Sequence, residues 1–253
     1  MDAGVRSPLI DFFRRGEVAS DVRMLAARGA LAPRAHEQLA LLLILSDDAE
    51  PAVAAAAAHT IDALPAASLA KFLGRSDVPQ QMRDFFAARG VHPEGGAAAG
   101  DQPLVETNEE PADEEKSGES DPKILSTLPV IDRMKLAMRG TREQRSQLIR
   151  DSNKLVAAAV LSSPKLTESE VEAFARMANL AEDVLRIIAM NRAWVKNYNV
   201  VAALTRNPKT PVPLAMGFLQ RLNERDLKML SIDRNVSEPV RLAARKFVVK
   251  NQR

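Results

Sequence analysis

Val156-Ala-Ala-Ala-Val-Leu-Ser-Ser-Pro164-Lys165 returns 44 residues later as Val200-Val-Ala-Ala-Leu-Thr-Arg-Asn-Pro208-Lys209, and this recurrence decides the fold. Phe174 answers Phe218 at the same offset. A second phrase runs beside the first: Leu148-Ile-Arg-Asp151, Ile188-Ala-Met-Asn191 and Leu230-Ser-Ile-Asp233, at steps of 40 and 42. Each copy is a short apolar helix pattern ended by a polar or Pro stop. A fixed period in this range predicts stacked helical units, each burying its apolar face against the next, rather than a globule closed around an active site.

Composition agrees. The chain of 253 residues is 46% hydrophobic but only 4% aromatic, with one Trp and one Tyr. Alanine and leucine dominate, which suits closely packed short helices better than sheets, where β-branched and aromatic residues are favoured. The absence of cysteine excludes disulfides and thiolate chemistry and fits a reducing compartment. The longest apolar run, Leu39 to Leu45, is far shorter than the roughly 20 residues a bilayer span needs. A cytoplasmic protein without a membrane partner is the expectation.

The net charge of +2 hides a division into three. Residues 1–90 are nearly balanced at −1, residues 91–122 carry −9, and residues 123–253 carry +12. The middle stretch is rich in Gly, Pro, Ser and Ala, with almost no large apolar side chain. It lacks the apolar surface to offset its ordering entropy. The expected organisation is therefore a helical domain over 1–90, a disordered acidic linker over 91–122, and a basic helical domain over 123–253.

In the first domain the helical pattern runs from Glu17 to Arg89. Pro33 opens a helix to about Ser46. Ser46-Asp-Asp-Ala-Glu-Pro51 supplies a cap and first-turn acids for an Ala-rich helix reaching Ala63. Pro65 starts the next, through Leu73, and a last helix ends near Gly90, whose type suits a C-terminal cap. In the second domain Thr141-Arg-Glu-Gln144 and Thr167-Glu-Ser-Glu170 both have the capping-box form. Asp151, Asn191 and Asp233 sit where helices restart, Thr210 reads as a cap with Pro211 at the first helical position, and Ser237-Glu-Pro239 opens the last helix. About nine short helices are predicted between Thr127 and Lys250.

The Asn-Pro-x-Thr-Pro phrase at 207–211, the Val-x-x-Ala-Leu helix before it and Leu230-x-x-Asp-Arg-Asn-Val236 resemble the leucine-rich repeat variant and HEAT-like repeats of bacterial proteins. The resemblance covers about residues 125–250 and reaches the first domain more loosely through Asp48-Ala-Glu-Pro51-Ala-Val53. The arrangement also resembles bacterial proteins with two such arrays joined by a variable linker. What it implies is an all-α fold, an α-solenoid of short helices, some of them 3₁₀. Ser162-Ser163-Pro164-Lys-Leu-Thr167 departs from the pattern, lacking both the Asn and the second Pro.

Residues that would carry catalysis are sparse. His36, His59 and His92 have no partner at metal-ligand spacing. There is no Gly-rich phosphate loop, nucleophile elbow or His-Glu-x-x-His motif. Glu168, Glu170 and Glu172 fall in the first turn of a helix, where they complement its dipole. No catalytic residue, metal or cofactor is assigned. The stretch that differs between repeat copies is Arg192-Ala-Trp194-Val-Lys196-Asn197-Tyr198. On a continuous helix Trp194 and Tyr198 share a face with Arg192 and Lys196 beside them, the pairing that phosphate attraction and base stacking require. The competing expectation is that the single Trp packs against a neighbouring turn. Arg206, Lys209 and Arg234 extend a basic rim.

These readings predict a non-enzymatic interaction or scaffold module that binds a protein partner through its elongated surface. The alternative is nucleic-acid or other polyanion binding by the basic array, driven by counterion release, with the acidic linker competing for the same surface.

Overall fold

The structure, a computed structural model, describes residues 7–32, 34–95, 100–105 and 122–251. Every regular element among them is helical, and they fall into two compact units. One comprises Met1–Gly140 with Ser162–Pro164; the other comprises Thr141–Leu161 with Lys165–Arg253. No single helix among the described residues is long and apolar enough to cross a membrane.

The first unit is built around α3 (Ala35–Leu45), whose Leu39, Ala40, Leu41, Leu42, Leu43 and Leu45 are all buried. A helix apolar on every side must be enclosed, and α1 (Pro8–Arg14), α2 (Ser20–Ala27) and α4 (Pro51–Asp62) pack against it. α1 precedes the pattern read from Glu17 onward, because its seven residues are too few to display a helical period. Its Ser7 hydroxyl accepts from the Ile10 amide at 3.4 Å, while Leu9, Ile10, Phe12 and Phe13 are buried.

Pro51 opens α4 as expected, but the acids before it serve differently. Asp48 Oδ1 accepts from the Glu50 amide at 2.9 Å, and Arg23 donates to both Asp48 oxygens at 3.0 Å and to Glu50 at 3.2 Å. The acids thus clasp α2 to the loop rather than cap helix amides. The helices α5 (Ala66–Leu73) and α6 (Gln80–Ala87) follow, and Gly90, with φ of +82°, turns the chain after α6 as its residue type suggested.

The expected disorder over 91–122 does not hold for the described part of that stretch. The Glu94 amide donates to the Ala70 carbonyl at 3.0 Å, and residues 101–105 are hydrogen-bonded to α3. These few residues are anchored by specific backbone bonds, which compositional reasoning does not register. The remainder, 96–99 and 106–121, lies outside the described residues. Two helices, α7 (Pro122–Thr127) and α8 (Val130–Arg139), complete the unit.

In the second unit the order is α9 (Arg142–Leu148), α10 (Lys154–Leu161), α11 (Glu168–Arg176), α12 (Glu182–Met190), a 3₁₀ turn at Trp194–Lys196, α13 (Tyr198–Arg206), α14 (Val212–Phe218), a 3₁₀ turn at Leu219–Arg221, α15 (Glu224–Ile232) and α16 (Glu238–Asn251). Both capping boxes form as read, at Thr141/Gln144 and Thr167/Glu170. The repeated phrase becomes α10 and α13, buried through Leu155–Leu161 and Val200–Thr205. Since α11 and α14 are also 44 residues apart, the period corresponds to three helices.

The second repeated phrase is a helix stop. Asp151 Oδ1 accepts from the Asn153 amide at 2.8 Å, Asn191 Oδ1 from Ala193 at 2.9 Å, and Asp233 Oδ1 from Asn235 at 2.9 Å. Each side chain mimics a backbone turn and leads the chain out of its helix. One predicted cap is displaced. Pro211 itself is the residue before α14, and the buried Thr210 hydroxyl has no hydrogen-bond partner among the described residues. With Pro211 at the cap position, Thr210 stands one residue before it, and neither Pro211 nor Pro213 has an amide N–H for its hydroxyl to accept from.

The apparent degeneracy at Ser163 also resolves. Asn207 donates through Nδ2 to the Ala175 and Met177 carbonyls at 2.8 and 2.9 Å, tying down the end of α11. Ser163 occupies the corresponding position one period earlier and donates to the Met138 carbonyl at 2.8 Å, at the end of α8. A hydroxyl replaces an amide in the same job. Leu148, Val156, Val171, Phe174, Leu185, Ile188, Val200, Leu204, Leu227, Leu230, Val240 and Ala244 are buried, whereas Leu136, Leu214, Phe218 and Phe247 are half-buried.

Candidate functional site

The expected aromatic pair does not share a helix. Asn197, in extended conformation, separates the 3₁₀ turn holding Trp194 from α13, which begins at Tyr198. Asn197 caps α13 by accepting from the Asn199 amide at 2.9 Å, and Asn191 Oδ1 holds the Ala193 and Trp194 amides at 2.9 and 3.4 Å. Two polar side chains thus interrupt what residue spacing alone reads as one helical face. Trp194 is half-buried, while Arg192 and Lys196 are exposed.

Tyr198 and Arg206 meet instead at a residue the sequence reading passed over. The Tyr198 hydroxyl donates to Asp226, and Arg206 donates to the other oxygen of the same carboxylate. Asp226 sits at the start of α15, where Asn223 Oδ1 accepts from its amide at 2.7 Å, and the Asn223 amide donates to the Tyr198 oxygen at 3.2 Å. Burial pushes the Tyr198 hydroxyl above its ordinary pKa, and the bond to the neighbouring carboxylate raises it further. Lys154, one period before Tyr198, makes a related link to Asp183 at 2.6 Å.

Tyr198, Arg206 and Asp226 border a cavity of about 620 Å³. Ala202 and Ala203 of α13, both buried, give it a floor of small side chains. Tyr198, Asn199 and Arg206 come from α13, Asp226 from α15, and Asp233 and Asn235 from the turn after it; Arg176 and Pro208 also line it. The site offers mixed charge, two exposed carboxamides and a flat apolar base. Such a set binds by shape and hydrogen bonding; a carboxamide matches both donor and acceptor of a peptide group.

The other predicted residues lie apart from this lining. Arg192, Trp194, Lys196, Lys209 and Arg234 do not border the cavity, and the side chains of Arg192, Lys196, Lys209 and Arg234 form no ion pair among the described residues. Asp226 was legible in principle, since Asn223-Glu-Arg-Asp226 has the capped helix start of the two Thr boxes. The alanine floor was not legible, because alanine in this chain is everywhere.

Among the described residues no group of three or more His, Asp or Glu side chains is placed to hold a metal ion. His59 and His92 are exposed; His36 is half-buried, its ring Nδ1 3.0 Å from Asp101 and its edge set against Phe72 at 4.7 Å between ring centres. Compared with known protein families, curated proteins and solved structures, the chain matches none.

Proposed function

We propose that this protein is a non-enzymatic interaction module, an α-solenoid of short repeats in two arrays, whose α13–α15 groove binds an extended segment of a protein partner. The observation that supports it most is the groove itself. An alanine floor lets a backbone approach closely, Asn199 and Asn235 stand exposed beside it, and the Tyr198–Asp226–Arg206 cluster fixes one wall. Fixed walls reduce the ordering that association costs. The three-helix period supports the solenoid reading, because it presents the same kind of face in successive units.

The test is selection of peptides from a displayed library against the full chain, followed by affinity measurement on a groove-filled variant, Ala203→Arg. Convergent peptides whose binding drops at least tenfold on filling the groove support the reading. Peptides that bind the variant equally well overturn it.

A second reading, polyanion binding by the basic array, draws on Arg192, Lys196, Lys209 and Arg234, which are exposed and form no ion pair among the described residues. Counterion release predicts affinity for a labelled DNA duplex that falls steeply with salt, and a shallower slope in the Arg192→Ala, Lys196→Ala variant. The pairing of Arg206 with Asp226 removes one cation from the predicted rim and favours the first reading.

A further inference from the structure

The N-terminal unit holds a second site, and the chain itself fills it. Asp101 stands at the N-terminal end of α3. Its carbonyl accepts from the Ala35 amide at 3.3 Å, and its Oδ1 accepts from the His36 amide at 3.2 Å, with the His36 ring nitrogen 3.0 Å away. No side chain of the Arg34 cap residue does this work. A helix start leaves amides unpaired and attracts negative charge, and here a carboxylate 65 residues distant supplies both needs.

Gln38 then reads the backbone that follows. Its Oε1 accepts from the Leu104 amide at 2.8 Å and the Val105 amide at 3.2 Å. Its Nε2 donates to the Gly29 carbonyl at 2.8 Å, with a longer 3.5 Å bond to the Val105 carbonyl. Gln38 is 1% exposed, so this carboxamide is a buried group that ties the Leu104–Val105 backbone to Gly29. Recognition of main-chain donors and acceptors by one fixed amide is independent of side-chain sequence.

A glycine makes room for the segment. A Cβ on Gly29 would lie 3.1 Å from the Val105 Cβ, and Gly29 has φ of +78°, so a side chain there is strained as well as obstructive. Pro103, Leu104 and Val105 also form one wall of a cavity of about 670 Å³, with Phe72, Thr60 and Ala63 opposite. The segment is thus held by its acid, its main chain and its last side chain, in a site with space remaining.

We propose that the start of α3, Gln38 and Gly29 form a recognition site for an extended acidic-x-Pro-Leu-Val peptide, which residues 101–105 occupy intramolecularly and a partner segment of the same chemistry takes in their place. Selectivity divides among three features. The acid meets the α3 amides and His36, the Pro favours an extended backbone, and the final residue must sit on Gly29 without a β-carbon beneath it. Tethering places the internal segment at an effective concentration of about a millimolar, so a free peptide competes at a disadvantage until the internal copy is weakened.

The experiment uses the full chain and a fluorescein-labelled peptide, Gly-Asp-Gln-Pro-Leu-Val, blocked at both ends. In the variant carrying Asp101→Ala, Leu104→Ser and Val105→Ser, peptide affinity measured by anisotropy should rise at least tenfold over the unaltered chain. Adding Gln38→Ala to that variant should remove at least tenfold of it. Affinity that does not rise on releasing the segment, or that survives the loss of Gln38, overturns the proposal. So does dimer formation by segment exchange with no uptake of free peptide.

Should the released variant fail to fold by circular dichroism, the unaltered chain decides. With the peptide in excess of the millimolar effective concentration, the Leu104 and Val105 amide resonances should move saturably toward solvated positions. If they stay in place, the proposal fails.

Discussion

Arg145 and Glu170, on α9 and α11, bury a two-pronged ion pair, with Arg145 Nε donating to Oε1 at 3.0 Å and Nη2 to Oε2 at 3.1 Å. Their side chains are only 5% and 3% exposed. The same carboxylate closes the α11 capping box, accepting from the Thr167 amide at 3.0 Å and its hydroxyl at 2.9 Å. One side chain therefore starts a helix and joins it to another. Removing one partner leaves the other charge buried, which costs about 3–5 kcal/mol. Glu170→Gln should lower unfolding free energy by that order in urea titrations. The double variant Arg145→Met, Glu170→Met should lose less than the two single changes summed.

Asn207 secures the end of α11 as Ser163 secures the end of α8. Asn207→Ala removes the side-chain donor to the Ala175 and Met177 carbonyls and should destabilise the chain by about 1–3 kcal/mol. Asn207→Ser retains a donor, as the earlier repeat does, and should recover part of that loss. Thermal melts of the three proteins check the ranking.

Glu37 is buried, and its Oε2 has no hydrogen-bond partner among the described residues. Burial raises its pKa above 4.5, opposed by the Ser7 hydrogen bond and by Arg34. The folded chain then holds this proton more tightly than the unfolded chain. Its contribution is fully present below the unfolded pKa and is lost as pH rises through the raised one. Glu37→Gln abolishes that loss. The variant should be more stable than the unaltered chain at neutral pH, with the difference closing as pH falls toward 4. A gap that persists or widens on acidification contradicts this.

The chain has one tyrosine, so its ionisation can be followed by ultraviolet difference absorbance without interference from another. Asp226→Asn removes the carboxylate that holds the Tyr198 proton and should lower the titration midpoint. It should also release Arg206 and loosen the groove wall, so any peptide bound between α13 and α15 should dissociate faster. An unchanged midpoint would show that Tyr198 and Asp226 are not paired in solution.

Much of the helix order was legible because its signals are local. Pro51, the two Thr capping boxes and Asp151, Asn191 and Asp233 act within three residues of where they stand, so their types and spacing suffice. Trp194 and Tyr198 misled for the same reason: their spacing implied one helix, but Asn197 and Asn191 bond backbone amides nearby and divide it. Asp226, Arg145 and the Glu170 pairing escaped notice because each gains its role from a residue 20 or more positions away.

By itself the sequence determined the all-α class, the 44-residue recurrence at residues 156–209 and most helix ends, since hydrophobic periodicity and caps are short-range physics. Only the tertiary structure decided which charged residues are paired, where alanines line a groove rather than a helix interface, and that Asp101–Val105 returns to α3. Those outcomes depend on distances between elements far apart in the chain, and local residue type does not encode them.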